Sequence, residues 1–277
     1  MLSKIVVITG GSSGIGKQLA ADLLRRGDVV GILSHDRNRL LAAEEELRSI
    51  SKNIVAVVCD VTKQEEIDAA FNHFFNRFGR IDVLVNNAGW ATYRTFEESS
   101  LEELLAIVDA NFLGVVRASK AVLPRMIARR AGHIVNVSSI AGRLLITPNS
   151  AYTSSKHAVV ALSEAMRHEL HRFNIHISVV CPGRVETPFF DHETFRLRAP
   201  RRETSITVSL EEVSAAIIRS IDRKSLMTFV PKYWAIVCWF LESFPWILRP
   251  IYSKLLLNRI ESIYSGKQTD REQTDKR

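Results

Sequence analysis

Short apolar runs alternate with longer amphipathic stretches along the first 230 or so residues. Ile5–Ile8, Val29–Leu33, Ile54–Val58, Ile81–Val85, His133–Val137 and Ile175–Val180 are runs of four to six residues, rich in Val and Ile. Runs of this length, apolar at consecutive rather than alternate positions, predict strands of a parallel sheet covered on both faces. Between them lie stretches with helical spacing: Gly14–Arg26 stopped by Gly27, Arg37–Ile50, Gln64–Phe78 stopped by Gly79, Leu101–Met126 with Pro124 near its end, and Tyr152–Phe173. Met227–Val230 is a candidate seventh strand. Strand–helix alternation with short connections predicts an α/β fold, a doubly wound (Rossmann) parallel sheet of six to seven strands, in a single domain over residues 1–232.

The pattern changes after residue 232. Residues 233–257 hold three of the four tryptophans, and the uninterrupted apolar run Trp234–Leu241 is eight residues long. A membrane-spanning helix needs about twenty apolar residues, and Glu242, Pro245, Arg249 and Pro250 break the stretch. An apolar C-terminal helical extension over 233–264 is expected instead. It suits a helix pair lying in a membrane interface, a hydrophobic lid over a substrate pocket, or an extra helix packed on the core or on a second subunit. Residues 265–277 are polar, mixed in charge and free of apolar side chains, so a flexible tail is expected there.

Composition narrows the class. The chain of 277 residues is 46% hydrophobic and 24% charged, which is ordinary for a globular protein. Its net charge is +7 and its pI about 9.5, but the surplus is spread out, with modest clusters at Arg129–Arg130 and Arg196 to Arg202. Nucleic-acid binders concentrate such charge, so no nucleic-acid partner is expected. A cofactor phosphate or an anionic membrane surface suits a diffuse surplus better. Cys59, Cys181 and Cys238 are odd in number and show no metal spacing, which points to a reducing compartment and buried thiols. Met1 to Lys4 run straight into the first strand with no signal-peptide pattern, so a cytoplasmic protein is expected, with any membrane association at the cytoplasmic face. His168, His171 and His176 lie close together, but no Cys or acid cluster completes a metal site, and no metal is expected.

Five places along the chain carry candidate chemistry. Thr9-Gly10-Gly11-Ser12-Ser13-Gly14-Ile15-Gly16 follows the first strand and opens the first helix. Glycines there let the backbone turn sharply against a pyrophosphate, while the helix N-terminus offers free N–H groups. The second strand ends at Ser34 and His35, where a Rossmann unit often holds an acid that bonds the ribose; Arg37 and Arg39 follow. A segment without that acid tolerates a 2′-phosphate, so NADP(H) is favoured over NAD(H), with Asp36 as the contrary sign. Asp60, followed by Val61, is placed to accept from an adenine amino group or to cap the next helix. Asn86-Asn87-Ala88-Gly89 would let the backbone pass a cofactor ribose. Finally, Tyr152 and Lys156 stand four apart, one above the other on a helix. An ammonium beside a phenol favours phenolate and lowers its pKa, which suits a general acid or base.

These motifs stand in the order and spacing of the short-chain dehydrogenase/reductase family, in its branch of about 250 residues, and the chain resembles that family from residue 4 to about 232. Thr-Gly-x-x-x-Gly-x-Gly stands at Thr9 to Gly16, Asn-Asn-Ala-Gly at Asn86 to Gly89, Tyr-x-x-x-Lys at Tyr152 and Lys156, and Pro-Gly-x-x-x-Thr at Pro182, Gly183 and Thr187. A serine thirteen residues before the tyrosine matches Ser139, with Ser138 as its close competitor, and a helical asparagine matches Asn111. The resemblance implies that Tyr152 is the general acid in reduction and base in oxidation. It implies that Lys156 lowers the tyrosine pKa and bonds the nicotinamide ribose, that Ser139 polarises the substrate oxygen, and that Asn111 positions a water. It further implies that Pro182 to Thr187 wrap the nicotinamide, with Val185 offering backbone to the carboxamide. In the family the following loop closes over substrate; Phe189, Phe190 and Phe195, with Arg196 and Arg198, suggest an apolar substrate with an anionic end. A homodimer or homotetramer is expected from the family. The C-terminal extension loosely resembles those of lipid-ketone reductases of the 3-ketosphinganine reductase type. A cofactor-binding protein of this fold without catalysis is the alternative.

Overall fold

Ile5–Thr9 (β1) is buried at all five positions, so the run that opens the chain lies between two layers. The computed structural model of the protein describes residues 3–198 and 207–274, with backbone alone for 196–198 and 265–274. The basic pair Arg201 and Arg202, and Met1-Leu2, therefore lie outside the described residues. After β1 come α1 (Gly14–Arg25), β2 (Val29–Ser34), α2 (Arg37–Arg48), β3 (Ile54–Val58), α3 (Gln64–Phe78), β4 (Val83–Asn86), α4 (Leu101–Val108) and α5 (Gly114–Arg129). Then follow β5 (Gly132–Val137), α6 (Ser150–Leu170), β6 (Ile175–Pro182), β7 (Arg184–Val185), α7 (Glu193–Arg198), β8 (Thr207–Val208), α8 (Leu210–Arg223), β9 (Met227–Val230), α9 (Tyr233–Ser243) and α10 (Pro245–Thr274).

Seven strands form one parallel sheet in the order β3-β2-β1-β4-β5-β6-β9, the doubly wound arrangement that the sequence predicts. Side chains alternate across it. Val6 and Ile8 face a core shared with α1, α2 and α8, while Val7 faces a second core with α3, α5 and α6. Strand order reverses between β1 and β4, which opens a crevice beyond their C-terminal ends. Buried amides tie the two strands beside that crevice together. Asn86 Nδ2 donates to Asn136 Oδ1 at 2.8 Å and Asn136 Nδ2 to Ser163 Oγ at 2.7 Å, linking β4, β5 and α6. All three cysteines are free and buried, as expected.

The helix anticipated over Leu101–Met126 is present without a break and carries a π-helical turn at Asp109–Leu113 between α4 and α5. It also runs on to Arg129 with Pro124 inside it, where one missing N–H is offset by packing of Val122 and Met126 in the core. Residues 265–274 continue the backbone of α10, and residues 275–277 lie outside the described residues.

Candidate active site

The crevice is a cleft of about 680 Å³ running from the β2 end to the helix α6. Its floor at one end is the turn from β1 to α1. Gly10 and Gly14 have φ of 65° and 50°, and a Cβ on Gly16 would lie 2.2 Å from the Gly10 carbonyl oxygen. No other residue type fits these three positions together. Thr9 lies beneath, its hydroxyl accepting the N–H groups of Asn87 and Ala88 at 3.0 and 3.1 Å, and Asn87 Nδ2 donates to the Thr9 and Gly10 carbonyls. Ser12, Ser13, Gly14 and Ile15 thus face open space above a backbone held from below. That cradle fits a dinucleotide pyrophosphate at a helix N-terminus.

The end of β2 holds Ser34, whose hydroxyl accepts from Ser12 Oγ at 2.9 Å, with His35 beside it. The basic residue reaching the cleft is Arg39 rather than the expected Arg37, which opens α2 outside the cleft lining. The reason is the Asp36 cap: its carboxylate accepts the Arg39 N–H at 3.0 Å and pairs with the Arg39 guanidinium at 3.3 Å, which turns that side chain toward β2. Asp60 is likewise absent from the cleft wall. Its carboxylate accepts from the Thr62 N–H and hydroxyl at 2.9 and 2.8 Å, closing the loop before α3. Burial alone would raise its pKa, but the Thr62 bonds outweigh burial and hold the carboxyl below its usual range. Its neighbours Cys59 and Val61 line the cleft instead.

At the other end Ser139, Tyr152 and Lys156 come together, as the spacing implies. Ser139 caps a short 3₁₀ turn, its oxygen accepting the Ala141 N–H at 3.1 Å, while Ser138 donates to the Lys156 carbonyl at 3.1 Å. Ser138 is thus committed to holding α6 against β5, which leaves the Ser139 hydroxyl beside the Tyr152 phenol in the cleft. The Lys156 ammonium is buried, donates to the Val137 carbonyl at 3.0 Å and lies 5.7 Å from the Tyr152 ring centre. The expectation that it lowers the phenol pKa is not met in this state. Burial pushes the phenol up to about 12 against the opposing effect of the Ser139 hydroxyl, and burial pushes the ammonium down to about 8.

Asn111 sits in the π turn, fully buried and outside the cleft lining. Its Oδ1 accepts the Trp90 N–H at 2.9 Å, and its Nδ2 donates to the Trp90 carbonyl at 2.9 Å and to Ser155 Oγ at 3.2 Å. It therefore clasps the loop after β4 to α6. Gly89 lets this loop pass, since a Cβ there would lie 2.8 Å from Asn111 Oδ1. Pro182, Gly183, Val185 and Thr187 form the remaining wall, and Thr187 packs against the Gly14 position. Beyond Tyr152 lies an aromatic cluster. Phe189 is 5.5 Å from the Tyr152 ring, Phe190 is 5.2 Å from Phe189, and Phe195 is 5.1 Å from Phe190. The side chains of Arg196 and Arg198 lie outside those described. Trp90 and His192, with ring centres 6.2 Å apart, also line the cleft and have no motif that would have revealed them.

A glycine-lined pyrophosphate cradle joined by one cleft to a Ser–Tyr–Lys group defines a dinucleotide-dependent oxidoreductase. The family model for short chain dehydrogenases matches residues 4–195, and the chain belongs to that family. It is thereby a nicotinamide-dependent oxidoreductase of CH–OH and C=O groups. It is 32% identical over 222 residues to a 3-ketodihydrosphingosine reductase of Bos taurus, covering 77% of this chain and 67% of the relative. A variant of actinorhodin polyketide ketoreductase solved with NADPH superposes with a TM-score of 0.77 at 30% identity, over 84% of this chain and 97% of that one. A short-chain dehydrogenase/reductase of Burkholderia phymatum in complex with NAD gives 0.76 at 27%, over 85% and 92%.

Proposed function

We propose that the protein reduces the carbonyl of an apolar, lipid-like substrate with NADP(H), which it prefers to NAD(H). The observation that carries this reading is the aromatic cluster of Phe189, Phe190 and Phe195 packed directly on the phenol of Tyr152. The similarity to a 3-ketodihydrosphingosine reductase supports the substrate class. The bound nicotinamide supplies the hydride. Ser139 holds the substrate oxygen, and Tyr152 delivers the proton to it as charge develops. A phenol near 12 is fully protonated at neutral pH and stands ready as the acid. Lys156 holds the ribose side of the cleft and keeps a cation beside the ring, while Asn111 fixes the π turn and thereby the loop that borders the nicotinamide.

Cofactor preference follows from charge. The β2 end presents Ser34, His35, Asp36 and Arg39 to the cleft, and the carboxylate of Asp36, its one acid, is engaged by the Arg39 N–H and guanidinium. A 2′-phosphate meets a cation there rather than a free carboxylate. Further parts of the same reading are a homodimer or homotetramer, and peripheral contact of residues 233–257 with the cytoplasmic face of a membrane.

Turnover of long-chain β-keto lipids, steroid ketones and small ketones, measured with NADPH and NADH side by side, tests it. NADPH-dependent turnover that rises with substrate chain length is expected, and the Tyr152→Phe variant should lose roughly 10²–10⁴-fold in rate while still binding NADPH. Equal rates with NADH would overturn the cofactor assignment, and full turnover by Tyr152→Phe would overturn the acid.

A further inference from the structure

Helices α9 and α10 leave a broad apolar face uncovered. Ile236, Trp239, Phe240, Trp246, Ile247 and Ile251 are all exposed, Trp239 at 57% and Trp246 at 71%. In α10 the outward residues Ile247, Ile251 and Leu255 recur every four positions, which makes one continuous stripe. A monomeric soluble surface seldom exposes so much contiguous apolar area without a partner.

Charge chooses the partner. Between residues 232 and 264 the basic side chains are Lys232, Arg249, Lys254 and Arg259, and the acids are Glu261 and, on α9, Glu242. Glu242 is neutralised by Arg143 at 2.5 Å. Arg259 turns to the other side of α10, so Lys232, Arg249 and Lys254 remain around a face of Trp, Phe and Ile. Such a face suits an anionic lipid leaflet: the aromatic rings seat at the headgroup level and the cations meet lipid phosphates. Among the described residues no helix is long and apolar enough to span a bilayer, so the pair lies on the surface.

The opposite side of α10 closes the site. The Tyr252 hydroxyl donates to the Leu145 carbonyl on the loop that follows Ser139. Arg259 reaches the Tyr93 hydroxyl at 3.4 Å, and Tyr264 donates to Glu97 at 2.8 Å, both on the loop that follows β4. Ile263 packs onto the cluster of Tyr93, Phe195 and Phe189 beside Tyr152. One helix thus bridges the two rims of the substrate end through a few exposed polar contacts, with its other face bare.

Resting on the reading above of an apolar carbonyl substrate, we infer that α9 and α10 dock on an anionic leaflet. Docking draws α10 away from the Tyr93 and Leu145 rims, so that substrate passes from the acyl layer to Tyr152 without crossing water. The partner is a lipid surface, and α10 is both its binding element and the lid of the site.

Vesicle flotation and hydrogen exchange of the full chain test this. Vesicles of phosphatidylcholine with about 30% phosphatidylglycerol should bind the protein about tenfold better than phosphatidylcholine alone. The Trp246→Glu/Ile251→Glu double variant should lose that binding while keeping NADPH affinity. On the anionic vesicles, amide exchange in residues 90–97 and 252–264 should speed up; Arg259→Ala should give faster exchange in 90–97 without vesicles. No preference for anionic vesicles overturns the docking, as does a shift from dimer to monomer in Trp246→Glu/Ile251→Glu, which would make the face a contact between two copies. Binding with unchanged exchange in 90–97 overturns the lid. None of these readouts requires turnover, so absence of NADPH-dependent reduction alongside vesicle binding would fault the enzymatic reading alone.

Discussion

The Lys156 ammonium bonds the Val137 carbonyl at 3.0 Å and not the Tyr152 hydroxyl, although the two residues share one face of α6. Both groups are desolvated, so their pKa values move toward their neutral forms: the ammonium down to about 8, the phenol up to about 12. Folded Lys156 releases its proton near pH 8 and the unfolded residue near 10.5, so between these values the unfolded chain holds more protons and stability rises with pH. Cys59, Cys181, Cys238 and Tyr152, which burial pushes up, act with the opposite sign above about pH 9, so the Lys156 contribution is read as a difference. From pH 8 toward 10 the stability of the ligand-free protein relative to Lys156→Met, measured by denaturant midpoints, should rise by on the order of 3 kcal/mol at most. An unchanged slope in Lys156→Met would show that the ammonium is not the group responsible.

The clasp between Asn111 and Trp90 depends on a glycine. Gly89→Ala would place a methyl 2.8 Å from Asn111 Oδ1 and push the amide off the Trp90 N–H. A loss of about 1–3 kcal/mol in stability is expected, together with a fall in turnover larger than the fall in NADPH affinity. Thermal denaturation and steady-state kinetics of the one variant measure both.

Asn136→Ala removes the acceptor that Asn86 Nδ2 uses at 2.8 Å and the donor to Ser163 Oγ. Buried polar groups on β4 and α6 would then be short of a partner, and about 1–3 kcal/mol of stability should be lost. Because the network lies beneath the sheet end and touches no cleft residue other than through the backbone, KM for NADPH should stay within about threefold, which titration of the variant checks.

On the proposed preference for NADP(H), Arg39 is the cation expected to discriminate between cofactors. Arg39→Ala should raise KM for NADPH by roughly tenfold or more, the usual worth of a charge-assisted hydrogen bond, and leave KM for NADH nearly unchanged. Equal effects on the two cofactors would assign the preference elsewhere.

Most of the scaffold was legible because it is local. Gln64–Phe78 was readable to the residue, since Gly79 takes the left-handed conformation with φ of 74° that ends α3. The glycine cradle was readable from its place between strand and helix, and the Ser139–Tyr152–Lys156 group from the resemblance to the family's motifs. The rest depends on tertiary partners. The π turn at Asp109–Leu113 answers the bonds that Asn111 makes to Trp90 and Ser155, and no pattern in Leu101–Met126 announces it. Arg39 outranks Arg37 only through the Asp36 cap. The phenol pKa moves opposite to the expectation because pair spacing says nothing of burial.

Every described residue lining the cleft lies between Gly10 and His192, whereas the helix proposed to roof its substrate end begins at Pro245. A growing chain therefore completes its cofactor cradle and its proton donor well before it makes their cover. The roof touches the body at Tyr93, 166 residues upstream of Arg259, and is joined last. Chemistry and access are written in separate lengths of the polypeptide, so the terminal helices can be exchanged for others, and the enzyme redirected to a different surface, without altering a residue that moves a proton.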